Sequence, residues 1–124
     1  DGDERKMIDQ TMTRLRSLVE RTGITLFLVS HLRRATGDKN HEEGARVTLG
    51  QLRGSAAIAQ LSDSVIALER DQQGGPEHNA TTVRVLKNRY SGETGVACTL
   101  DYDLDTCKFN ETEPEEEFDP TSDF

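Results

Sequence analysis

Apolar residues at the start of the chain recur at helical spacing. Ile8, Met12, Leu15 and Val19 fall on one face of a helix predicted over residues 3–22, with Thr11 and Leu18 widening the stripe. Asp3 and Glu4 suit the positive end of its dipole, and Gly23 suits its C-terminal stop. The pattern then changes. "ITLFLVS", residues 24–30, is nearly continuous apolar and predicts a strand buried on both faces, as in a parallel sheet. Residues 33–50 have no period and carry Gly37, Gly44 and Gly50, which predicts a long loop. A turn into a short helix is expected within residues 52–63, and a second strand over 64–70. Residues 81–90 alternate, with Val83, Val85 and Leu86 as inward candidates. After the turn "SGETG", residues 96–103 complete a hairpin. The predicted class is α/β with antiparallel strands added at one edge.

Charge divides the chain into two parts. Of the net −8, the stretch 111–124 holds −7, because it has seven acids and neither Lys nor Arg; the remainder is near −1. Residues 110–124, with Pro114, Pro120 and only Phe118 and Phe124 as large apolar groups, are expected to form a disordered acidic tail. The ordered domain then spans 1–109. Cys98 and Cys107 read as two reduced thiols, and no Cys/His spacing points to a metal. No signal peptide or membrane-length apolar run is visible, so an intracellular setting is expected. The start "DGDERKMID", without an initiator Met, reads as if cut from a longer protein.

Three groups of residues can carry chemistry. His31 sits at the C-terminal end of the predicted parallel strand, the edge where open α/β sheets bind ligands. It either caps that strand or donates to a phosphate. Arg33, Arg34, Lys39, Arg46 and Arg53 are interleaved with glycines and small polar residues. Such a loop either is simply solvated or follows a single-stranded phosphate backbone. Lys87 and Arg89, two apart, share a strand face, either exposed or set around an anion. Arg70 can support that site or pair with Glu69 or Asp71. Tyr102 can stack on a base or be a half-buried strand tyrosine. The phosphate loop GxxxxGK(S/T) does not occur.

Taken together, "ERKMID", "VSHLRR…HEEG", "LRGSAAIAQLSDSVIALERDQQG", "VLKNRYSGETG" and the acidic tail ending in "DF" resemble the C-terminal end of the hexameric primase–helicases of short-tailed phages. The resemblance covers essentially the whole chain and extends, more weakly, to the mitochondrial helicase Twinkle and to bacterial replicative helicases. It implies part of a RecA-like core whose Walker A and Walker B strands lie upstream. It also implies a ring, with a hexamer expected, that hydrolyses ATP or dTTP with Mg²⁺ and moves 5′→3′ on single-stranded DNA. By motif, His31 resembles the phosphate sensor and Arg89 the arginine finger, with Lys87, Arg70 and Tyr102 around the nucleotide. Arg33, Lys39, Arg46, Arg53 and Gly54 match DNA-facing positions. Gln60 lies on the helix that follows, whereas Ala59 replaces a residue that can be basic in the family, so no DNA role is expected there. Glu115, Glu116, Glu117, Asp123 and Phe124 resemble an element that docks the replicative DNA polymerase. The implied setting is phage replication in the host cytoplasm, and this chain alone is expected to be inactive. A non-enzymatic single-stranded-DNA-binding or polymerase-docking module and a RecA-type recombinase fragment are the alternatives.

Overall fold

A computed structural model describes residues 2–33, 39–52, 54, 56–75 and 79–112. Helix α1 is Gly2–Thr22, with Asp3 and Glu4 in its first turn. Its predicted stripe is the face that packs: Met12 is buried, and Ile8, Leu15, Leu18 and Val19 are half-buried. Gly23 ends the helix at φ 72°, and its N–H donates to the Val19 carbonyl at 2.8 Å. Helix α2, Ala56–Leu61, packs on α1. Gly54, just before α2, has φ 107°, and a Cβ there would collide with Ile8 Cδ1. The Ile8 methyl can rotate away, so it is the positive φ that favours glycine at this entry to α2.

Four strands follow: β1 Ser64–Arg70, β2 Ala80–Asn88, β3 Gly95–Asp103 and β4 Lys108–Thr112. They form one sheet in the order β1-β2-β3-β4, antiparallel throughout. The β2–β3 pair is the expected hairpin. Strand β4 was not expected: "KFNET" is short, polar and fully exposed, and it carries regular structure through Asn110, Glu111 and Thr112, which the charge pattern assigned to the tail. Residues 113–124 lie outside the described residues.

Two expectations are corrected. Residues 24–30 form no strand, and Phe27 and Val29 are 88% and 94% exposed. A strand needs a ladder partner, and the described residues supply none; pairing starts only beyond this run, where Leu32 bridges Leu52. The sheet is accordingly antiparallel rather than parallel. The second correction concerns Val83 and Val85, which are half-buried like every residue of β2 and so are not singled out as inward; they lie opposite Leu68 and Ile66, which are more than half exposed. The covered face instead carries Ala67 and Glu69, opposite Arg84 and Thr82.

A buried ion pair organises the covered face. Glu69, 7% exposed, accepts from Arg84 Nε at 2.9 Å and from the Val47 N–H at 2.6 Å. Arg84 is the diagonal cross-strand neighbour of Glu69. Val47 is 2% exposed, so the contact ties the end of the long loop to the sheet. Glu43 bridges Asp71, and the Gln72 N–H donates to the Glu42 carbonyl at 2.9 Å, which fixes the same segment further along.

Candidate functional site

The site is built where α2 ends and β1 begins. A six-residue helix leaves its last carbonyls without intrahelical partners. Lys87 Nζ donates to Ala59 O at 2.7 Å and to Gln60 O at 3.1 Å. Arg89 Nη2 donates to Gln60 O at 3.1 Å. Two cations thus sit at the negative end of α2, where its dipole favours them. Lys87 arrives there because of a bulge. The register steps from Val65↔Lys87 to Ile66↔Val85, leaving Leu86 as the extra residue. Strict alternation would have put Lys87 beside Val85 and Val83; the bulge moves it to the face of Arg84.

Asp63 completes the group. Its Oδ1 accepts from Arg89 Nη1 at 2.8 Å and its Oδ2 from Arg16 Nη1 at 2.8 Å. Its backbone carbonyl accepts the Arg89 N–H at 2.9 Å. The Arg16 hydrogen bond holds the Asp63 carboxyl below the usual range, and the charges of Arg16, Arg89 and Lys87 add to this against the opposing effect of partial burial. Arg16 Nε also pairs with Glu20 at 3.0 Å. The Arg89 side chain remains 41% exposed. Of five guanidinium N–H donors, it commits two to Asp63 and Gln60 among the described residues.

Lys87 and Arg89 do meet, at the Gln60 carbonyl, but not as two residues of one strand face, because Arg89 lies in the turn after β2 and the bulge sets the side of Lys87; their partners were not foreseen. Asp63 lies 26 residues before Arg89, a contact that no local pattern encodes. The Glu69–Arg84 pair did leave a signal. Glu69 follows Ala67 by two on an alternating strand, and a carboxylate at a buried position requires a partner.

The remaining predicted residues fall elsewhere. His31 is exposed beside the 24–30 segment. Arg33 is exposed; its N–H donates to the Gln51 carbonyl at 2.7 Å, and its own carbonyl accepts from His41 Nε2 at 2.7 Å. Arg33 lines a cleft of ≈ 660 Å³ between α1 and the α2 region, with Arg5, Asp9, Gly50, Ala57 and Gln60. Lys39 and Arg46 are exposed on the loop. Arg53 lies outside the described residues, as do Glu115, Glu116, Glu117, Asp123 and Phe124.

Arg70 and Tyr102 lie at the opposite end of the sheet. Arg70 pairs with Thr81 and Val65 with Lys87, which separates them by five residues of β1, roughly 17 Å at strand rise. Tyr102 packs on Phe109 with ring centroids 5.1 Å apart, and its contact with Cys107 pushes the phenol pKa up. Within one chain, these two residues do not join Lys87 and Arg89. Cys98 and Cys107 are free thiols, as expected. Among the described residues, no cluster of three metal-ligating side chains occurs and no helix is long and apolar enough to cross a membrane.

Comparison with known proteins agrees with the resemblance. Residues 1–111 match the DnaB-like helicase C-terminal domain. The chain is 47% identical over 106 residues to the DNA helicase/primase of Enterobacteria phage T3. The match covers 86% of this chain and 19% of that protein, so the chain spans about a fifth of the length of its relative.

Proposed function

The chain belongs to the DnaB-like helicase C-terminal domain family, and from that premise we propose that it is the C-terminal part of a ring-forming, NTP-driven DNA helicase. The parent protein has a RecA-like core, moves 5′→3′ on single-stranded DNA, and works at the replication fork of a phage in its host's cytoplasm. The observation that carries this reading is the gathering of Lys87 and Arg89 at the end of α2, with Arg89 part-exposed and donors in reserve. Such a group suits the γ-phosphate of a nucleotide held by a neighbouring subunit, where an arginine neutralises charge that develops in transfer.

His31, at the end of the 24–30 segment, senses the phosphate. The 24–30 run, apolar on both sides and without a ladder partner among the described residues, becomes a central strand once the rest of the parent supplies its neighbours. Arg33, Lys39, Arg46 and Arg53 follow the DNA backbone, and Gly54 leads from them into α2. Thus α2 follows the DNA-side segment in the chain, and its C-terminal carbonyls hold the phosphate-side cations. Arg70 and Tyr102, distant from Arg89 in the same chain, serve a nucleotide other than the one Arg89 reaches. In a ring, one subunit contributes to two interfaces, so that separation is consistent with the reading. The residues present are hydrogen-bond donors to phosphate. The Mg²⁺ that accompanies the nucleotide would shield charge on its phosphate oxygens, and its ligands come from elsewhere in the parent. The tail from Glu115 to Phe124 docks the replicative polymerase through its acids and terminal ring.

The test is Arg89→Ala in the full-length protein. Steady-state NTP turnover with single-stranded DNA should fall by about 10³-fold or more, with nucleotide binding to single subunits retained. Wild-type turnover in that variant removes the finger assignment.

A further inference from the structure

We propose that Asp63 is a positioning residue that aims Arg89 at the neighbouring subunit's nucleotide. The inference rests on the finger reading of Arg89 and deepens it. Both carboxylate oxygens are occupied, each by a different arginine: Oδ2 by Arg16 from α1, and Oδ1 by Arg89 from the segment after β2. Arg16 is itself held by Glu20, so the carboxylate cannot swing without breaking a chain of charged contacts. The main chain repeats the connection, because the Arg89 N–H donates to the Asp63 carbonyl. Arg89 is thus anchored at its backbone and at its guanidinium by one residue, and at Nη2 by the end of α2.

Stability alone does not account for this arrangement. The Asp63 side chain is 30% exposed and that of Arg89 41% exposed, and ion pairs so open to water contribute little to folding. What the arrangement does supply is orientation. A free arginine samples many rotamers, and a misaimed donor near a reacting phosphate loses rate without losing binding. The acid does not cancel the site's attraction for phosphate. Asp63 and Glu20 oppose Arg16, Lys87 and Arg89, which leaves the cluster with one excess positive charge.

The experiment uses the full-length protein and compares Asp63→Ala, Asp63→Asn, Arg89→Ala and the Asp63→Ala/Arg89→Ala double variant, measuring kcat and KM for NTP with saturating single-stranded DNA. Asp63→Ala should lower kcat by about 10²-fold, the scale of a small misplacement, with KM within twofold. Asp63→Asn, which keeps an acceptor for Arg89 and a near-identical shape, should retain more turnover than Asp63→Ala. The double variant should be no slower than Arg89→Ala, because Asp63 acts through that residue. Wild-type kcat in Asp63→Ala, a change confined to KM, or additive losses in the double variant would each overturn the proposal. The two readings fail separately. If Arg89→Ala itself turns over normally, the finger reading is lost; if Arg89→Ala is inactive while Asp63→Ala is active, only the role of Asp63 is lost. Should Asp63→Ala not fold, Asp63→Asn carries the test, because one amide oxygen cannot hold both arginines: a kcat below wild type at unchanged KM supports the proposal, and a wild-type kcat overturns it.

Discussion

Asp63 and Glu69 stand at the two ends of β1, and each holds an arginine from the β2 side. Glu69 is buried, takes Arg84 and the Val47 amide, and leaves Arg84 largely enclosed. Asp63 is half-buried, divides its oxygens between Arg16 and Arg89, and leaves Arg89 partly in solvent. The chemical device is the same and the surroundings differ. Inside, losing one partner strands a charge in low dielectric, so the pair holds structure together. Outside, water takes over the partner's place, so the pair contributes aim rather than stability.

The largest expected effect probes the buried end. Glu69→Ala should destabilise the protein by about 3–5 kcal/mol, seen as a lower denaturant midpoint, and should free the Val47 end of the loop. Asp63→Ala should move the same midpoint far less. Equal shifts in the two variants would break the comparison. Next comes the entry to α2, the helix that leads to the Asp63 end. Gly54→Ala forces a side chain into positive φ and should cost about 1–3 kcal/mol; an unchanged midpoint would mean that residue 54 does not hold that backbone conformation. A smaller effect belongs to the Glu69 end of the sheet. Phe109→Leu removes the tilted contact with Tyr102 and should cost about 0.5–1.5 kcal/mol, again by denaturation. The smallest is a pH effect. The Asp63 pKa is lowered in the folded state, so its stabilising contribution is complete above the ordinary aspartate value of 3.8 and is lost as pH falls below it. The acid limb of the stability profile should therefore flatten in Asp63→Asn, and an identical limb would remove Arg16 as an effective partner.

Much of this architecture was legible because single segments encode it. The i, i+3, i+4 stripe of α1, the β1 run "SVIALER" and the turn "SGETG" each carry their own signal. The failures share a physical cause: strands are pairwise objects. Residues 24–30 have a strand's composition but no partner among the described residues, whereas "KFNET" has little strand composition and a partner in β3. The bulge at Leu86 is equally invisible from within β2, yet it decides which side Lys87 serves. At the site, spacing two paired the cations on a strand face they do not share, and Asp63 and Arg16 were not foreseen, because contacts spanning 26 and 47 residues are products of the fold.

The sheet's two borders also differ. Strand β4 is fully exposed and carries Lys108 and Glu111, charges that resist lateral addition of another strand. Strand β1, at the other border, shows water Ile66 and Leu68, 59% and 66% exposed, and its outer backbone is bridged only near Asp71 among the described residues. One border is guarded and the other adhesive. Taken alone at high concentration, the 124-residue chain should self-associate first along β1, and a charge placed at Ile66 or Leu68 is the change that would keep its copies apart.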